Sequence, residues 1–90
     1  MPSIQGIGGP YRLFFVSFDC NEPMHVHVRR ENSTCKFWID PLSLAANHGF
    51  PARELTRARA TIEEHLERIK EAWHEHCGDR RGADTGGAGY

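Results

Sequence analysis

The apolar positions of this chain change period once. Up to about residue 50 they alternate or run in short blocks, and beyond it they recur every three or four residues. Tyr11-Arg12-Leu13-Phe14-Phe15-Val16-Ser17-Phe18 is a run of aromatic and β-branched residues of strand length. The segment Asp19–Pro23 is turn chemistry and closes it. His25-Val26-His27-Val28-Arg29-Arg30 alternates strictly, as a half-buried strand does. Glu31-Asn32 makes a tight connection to Ser33-Thr34-Cys35-Lys36-Phe37-Trp38-Ile39, so these two strands form an antiparallel hairpin. Asp40-Pro41 ends the third strand, and Leu42–Ala46 adds a short fourth. From Pro51, the residues Leu55, Ala58, Ile62, Leu66, Ile69 and Trp73 form the stripe of an amphipathic helix. It is expected to span 51–77, long enough to admit a kink, with Pro51 at its start and Gly78 just past its end. The fold class is α+β: an antiparallel sheet of three to four strands with one long C-terminal helix on one face. One domain spans 1–77, and residues 78–90, rich in Gly, read as a flexible tail.

Strand alternation sorts side chains between two faces. Val26 and Val28 share one side with Cys35, Phe37 and Ile39, against the helix stripe, and Phe14, Val16 and Phe18 are placed with them. The opposite face then carries His25, His27, Arg29, Lys36 and Trp38, with Tyr11, Leu13 and Phe15 beside them. One helix covers only one face, so this mixed aromatic and cationic surface is expected to be open. An exposed patch of that kind marks a partner surface or a homodimer contact.

Composition narrows the classes. Ninety residues and 10.2 kDa allow a single small core, which excludes a multi-domain enzyme or a dinucleotide-binding fold. Eleven basic against twelve acidic residues give a net charge of −1, so the chain is no bulk polycation. No run approaches the roughly 20 apolar residues needed to cross a bilayer, and no membrane association is expected. Met1–Gly6 lacks a basic and then apolar leader, and Cys20, Cys35 and Cys77 are odd in number with no C-x-x-C spacing. Reduced thiols and a cytoplasmic location are the expectation.

Three sets of residues carry candidate chemistry. On a strand, His25 and His27 at i and i+2 stand side by side, suited to paired acid/base work or to one divalent metal such as zinc. A metal needs a third ligand, for which His65, His48, Asp40 and Cys20 are available; hydrogen-bonded strand histidines are the plain alternative. Arg53 and Arg57 near the helix start, where cations oppose the macrodipole, join Arg29, Arg30 and Lys36 as a local anion-binding set. Trp38, Phe15 and Tyr11 are suited to stacking on bases; a solvated helix face is the plain alternative. His74 and His76 point apart on a regular helix, and Cys35 reads as a core thiol rather than a nucleophile.

Several of these features combine. Met1-Pro2-Ser3-Ile4, then Glu22-Pro23-Met24-His25-Val26-His27-Val28, then a helix with Ile62, His65 and Trp73, together resemble a small bacterial family, domain of unknown function 4160. Its hallmark is a Pro-Pro-His-aromatic-His-Val segment ahead of a helix of the type Trp-Ile-x-x-His…Leu…Trp. Met24, Val26 and Thr61 depart from it. The resemblance covers about residues 1–77. It implies an intracellular prokaryotic protein found beside a second small domain, in an arrangement similar to a toxin–antitoxin pair. It directs attention to His25, His27, His65 and Trp73.

The expected function is therefore a component of such a two-gene module, binding a cognate small protein or RNA through the His/Arg/Trp sheet face. In a ribonuclease version, His25 or His27 acts as general acid/base and Arg29 or Lys36 stabilises developing phosphate charge. The alternative is a non-catalytic metal-binding or dimerising module, with His25, His27 and His65 as ligands and a homo-oligomeric state.

Overall fold

A computed structural model describes residues 3–4, 6–7, 9–16 and 19–78. Four strands, β1 (Arg12–Phe14), β2 (His25–Arg30), β3 (Ser33–Ile39) and β4 (Leu42–His48), form one antiparallel sheet in the order β1-β2-β3-β4. A short 3-10 turn at Asp19–Asn21 lies between β1 and β2. The helical part is two helices, α1 (Ala52–Glu64) and α2 (Leu66–Cys77), rather than one. They meet at His65, whose φ and ψ of −116° and 26° leave the helical region. Its N–H is shared between the Thr61 and Ile62 carbonyls while its own carbonyl accepts from Ile69 N–H. The i→i−4 ladder thus shares an i→i−3 bond at the junction and continues beyond it. The expected stripe survives this break: Ala58, Ile62, Ile69, Ala72 and Trp73 are buried, with Leu55 and Leu66 packed against them. Full burial of a side chain such as Ile62 or Ile69 contributes about 1.5–3 kcal/mol each.

The hairpin forms in the expected register, with Val26 opposite Phe37 and Val28 opposite Cys35. β4 extends to His48, two residues beyond the expected end, and a bulge between Lys36 and Phe37 absorbs one extra residue. Its exit turn is held by Asn47, whose Nδ2–H donates to the Phe50 carbonyl (2.9 Å) while its Oδ1 accepts from Phe50 N–H (3.0 Å). Gly49 in that turn has φ 107°, and a Cβ there would come 2.9 Å from Ser33 Oγ, so only glycine fits without displacement.

β1 corrects the expected face. Leu13 pairs with Val28 and Phe14 with His27, so Tyr11, Leu13 and Phe15 enter the core and Phe14 lies on the histidine face. The strand alternates as expected, but with the two faces exchanged, because Leu13 lies beside Val28 and Phe14 beside His27. Val16 is half-buried, and Phe18 lies outside the described residues, as do Asp79–Tyr90 of the expected tail. Tyr11 Oη–H donates to Glu54 Oε1, which also meets Arg30 Nη1 (3.3 Å), tying β1 and β2 to the first turn of α1.

The thiol expectation is also corrected. Cys20 and Cys77 form a disulfide that links the 3-10 turn to the last turn of α2 across 57 residues, with Cα atoms 5.6 Å apart. The pairing joins residues that only the docked α2 brings together, which spacing along the chain does not reveal. Cys35 is the buried free thiol among the described residues, its pKa pushed up to about 11 by burial, as a core cysteine's should be. No helix among the described residues is long and apolar enough to cross a membrane.

Candidate metal centre

The histidine face is not left open at its β2 end. The connection from β1 folds over it and brings in Asp19, a residue the sequence presents only as turn chemistry. Asp19 N–H donates to the Val16 carbonyl (3.1 Å), and Asp19 Oδ2 accepts from Val16 N–H (2.7 Å), which fixes the carboxylate in a closed local turn. The disulfide at the adjacent Cys20 anchors the same turn to α2. As a result His25 has 0% exposure and Asp19 5%, so His25 belongs to the interior and not to the expected surface.

Asp19, His25 and His27 each offer one ligand atom within 4.8 Å of the others. Asp19 Oδ1 lies 2.9 Å from His25 Nε2 and 3.1 Å from His27 Nε2. The tautomer of His25 is set from the other side of its ring. Nδ1–H donates to the Pro23 carbonyl at 2.8 Å, leaving Nε2 with a lone pair in the neutral form. Despite its short separation from Asp19, Nε2 is not aligned for a hydrogen bond and is buried without a partner. With its Nε2 buried and without a hydrogen bond, and a carboxylate oxygen 2.9 Å away, His25 presents a polar contact that a bound cation would satisfy. A divalent ion need not lie on the line between the two atoms, so it satisfies both together with His27.

The electrostatics favour an ionised carboxylate. Burial raises the pKa of Asp19, but hydrogen bonds from Val16 N–H and His27, with the approach of His25, outweigh it and leave the group below its ordinary value. Two imidazoles and one carboxylate on adjacent elements have the composition of a 2-His-1-carboxylate facial triad. At metal–ligand bonds of about 2.1 Å, neighbouring octahedral ligands stand roughly 3.0 Å apart, which compares with the 2.9 and 3.1 Å observed. The Pro23 carbonyl on His25 Nδ1 is the kind of outer partner that orients a metal-ligating imidazole. His27 keeps its ring edge partly exposed, stacked on Phe14 (centroids 5.3 Å apart).

The other expected site residues divide around this group. Trp38 and Trp73 close on His25 from two sides, with centroids 5.5 and 5.3 Å from its ring, and Trp73 also packs edge-on against Phe15. They wall the site rather than bind from a surface. Lys36 extends over Trp38, 4.5 Å from its centroid, and is paired with Glu22 Oε1 at 2.6 Å. Arg29 is exposed, its Nε–H donating to the Glu31 carbonyl. His65, the expected third ligand, lies outside the group: it occupies the break between α1 and α2, where Glu64 is 3.8 Å away. Arg53 is exposed on α1, and Arg57 meets Glu54 at 3.7 Å. His48 and Asp40 are exposed at the ends of β4 and β3. The signal that could have found Asp19 was its place in a compact turn a few residues before the His strand.

No curated protein and no solved structure matches this chain. A family model does match, over residues 10–74, spanning β1, the His-x-His strand and the helical Trp73; the chain belongs to the family described as Domain of unknown function (DUF4160).

Proposed function

We propose that the protein binds one divalent transition metal of the zinc or iron(II) type through Asp19, His25 and His27. The observation that carries this reading is the buried, unpartnered Nε2 of His25 aimed at Asp19. Three protein ligands leave further positions for water or substrate, the pattern of reactive rather than purely structural sites. When bound, the metal supplies Lewis acidity. The chain's own part is to hold two imidazoles and a carboxylate in fixed orientation, with Trp38 and Trp73 excluding water from one side. The test is calorimetric titration of untagged, chelator-stripped protein, with the Cys20–Cys77 disulfide intact, with zinc. One equivalent bound tightly by the wild type and by His65→Ala, and lost in His25→Ala and Asp19→Asn, is the expected result. A wild type that takes up no stoichiometric metal ends the proposal.

A second reading concerns the partner. Cations rest on aromatics along one sheet face: Arg12 lies 6.0 Å from the Phe14 centroid and Lys36 lies over Trp38, with Arg29 exposed nearby. We infer from this surface, and from the family resemblance, a component of a toxin–antitoxin-like pair that meets a cognate small protein, RNA or a second copy there. In a ribonuclease version, His27, oriented by Asp19, is the acid/base group. Co-expression with the neighbouring gene's product, with growth and RNA integrity as readouts, tests it. Unchanged growth inhibition and cleavage in a His25→Ala/His27→Ala variant would remove the catalytic version. We infer a cytoplasmic location, where thiol-reducing systems would open the Cys20–Cys77 bond.

A further inference from the structure

A second ligand cluster lies on the other side of the same 3-10 turn. Cys20 Sγ, Cys77 Sγ and a ring nitrogen of His76 all lie within 4.8 Å of one another. The imidazole is already oriented: His76 Nε2–H donates to the Val16 carbonyl at 3.2 Å, and the ring stacks on Phe15 with centroids 5.4 Å apart. With that proton committed, Nδ1 keeps the lone pair free to ligate. Both cysteines are half-buried rather than enclosed. They line a groove together with Glu22, Met24, Trp73 and His74, so a small thiol or an ion reaches them.

We propose that Cys20, Cys77 and His76 form a redox-gated thiolate site: oxidised it is a disulfide, reduced it binds zinc. A dithiol delivers two electrons and two protons to the Sγ–Sγ bond, which breaks to give two thiols while the dithiol closes to its own cyclic disulfide. Zinc then displaces the two thiol protons and is held by two sulfurs and one imidazole, with a fourth position open. The cyclic disulfide of the same couple reverses this: it takes two electrons from the two thiolates and two protons from water to return to the dithiol, while the Sγ–Sγ bond re-forms and the zinc ion is released. The ligand set is sulfur-rich and differs from the oxygen and nitrogen set of Asp19, His25 and His27, so the two sites are told apart by spectrum.

The probe is cobalt(II), added to untagged protein either oxidised or reduced with a water-soluble phosphine and then freed of it. Reduced protein should bind one more equivalent than oxidised protein and show sulfur-to-cobalt charge-transfer absorption in the near ultraviolet. That band should vanish in Cys77→Ser, persist in His27→Ala, and need at least about tenfold more cobalt in His76→Ala. Zinc should displace the cobalt. Equal stoichiometry in the two redox states, or extra cobalt with no sulfur band, overturns the proposal. If the reduced chain unfolds, recovery of its circular dichroism with zinc in His27→Ala but not in Cys77→Ser supports the site, and failure of His27→Ala to recover, or equal recovery in both, overturns it. Loss of the Asp19 site would appear instead as loss of metal from the oxidised protein, with the sulfur band intact.

Discussion

The carbonyl of Pro23 illustrates how much a single backbone atom decides. By accepting from His25 Nδ1–H it dictates which ring nitrogen faces Asp19. A comparable local rule governs Tyr11 and Glu54. Burial raises the Tyr11 pKa, and its bond to Glu54 adds to that; the same bond, helped by Arg30 and Arg57, lowers the pKa of Glu54. The Glu54 contribution is present above the ordinary value of 4.5 and is lost as pH falls through the depressed value of the folded state. The Tyr11 contribution is present below the ordinary value of 10.0 and is lost as pH rises through the raised one. Thermal melts of wild type and Tyr11→Phe should therefore differ by a constant amount near neutrality and converge at both acid and alkaline extremes. A difference that does not depend on pH would show that the bond is unimportant to folding. At Cys35, with its thiol pKa raised to about 11 by burial, native protein should resist iodoacetamide; mass spectrometry after phosphine reduction should find two labelled cysteines and not three.

At the level of elements, the decisive facts are the β1 register and the break at His65. Leu13 lies in the core, so Leu13→Ala should cost about 2–5 kcal/mol in a denaturant titration. Were Leu13 on the open face, the same substitution would cost no more than about 0.5 kcal/mol. Period makes most of the architecture legible: β2 and β3 declare their faces through Val26, Val28, Phe37 and Ile39, and the buried helix stripe follows the spacing from Leu55 to Trp73. β1 resisted because Leu13, Phe14 and Phe15 are all apolar, and the strand's polar signal is the single Arg12, which shares a face with Phe14. The pairing with Val28 settles which face is inward, and pairing is not local information. Of the candidate site, His25 and His27 were legible from alternation alone. Asp19 was not, because its approach depends on how a turn folds back over the sheet. In the β4–α1 turn, Gly49→Ala should lower stability by about 1 kcal/mol or more, since the new Cβ is both close to Ser33 and at positive φ. A melt unchanged by that substitution would mean the turn shifts freely.

For the molecule as a whole, one covalent link compensates for a small core. Closing a loop of 57 residues removes about 4 kcal/mol of unfolded-state freedom on the chain-entropy account. Reduced protein without zinc should accordingly unfold at lower denaturant than oxidised protein, and a midpoint that stays put would show the bond to be thermodynamically silent. The link also makes a ring. Every strand from β2 to β4 and both helices lie between Cys20 and Cys77, so a protease that nicks the Glu31-Asn32 turn breaks the chain without releasing a fragment. On a gel run without reductant the nicked molecule keeps its whole mass, and only reduction separates the pieces. The ring thus converts a local cut from a loss of parts into a change of connectivity: the molecule becomes two chains held by one bond, dismantled by electrons rather than by hydrolysis.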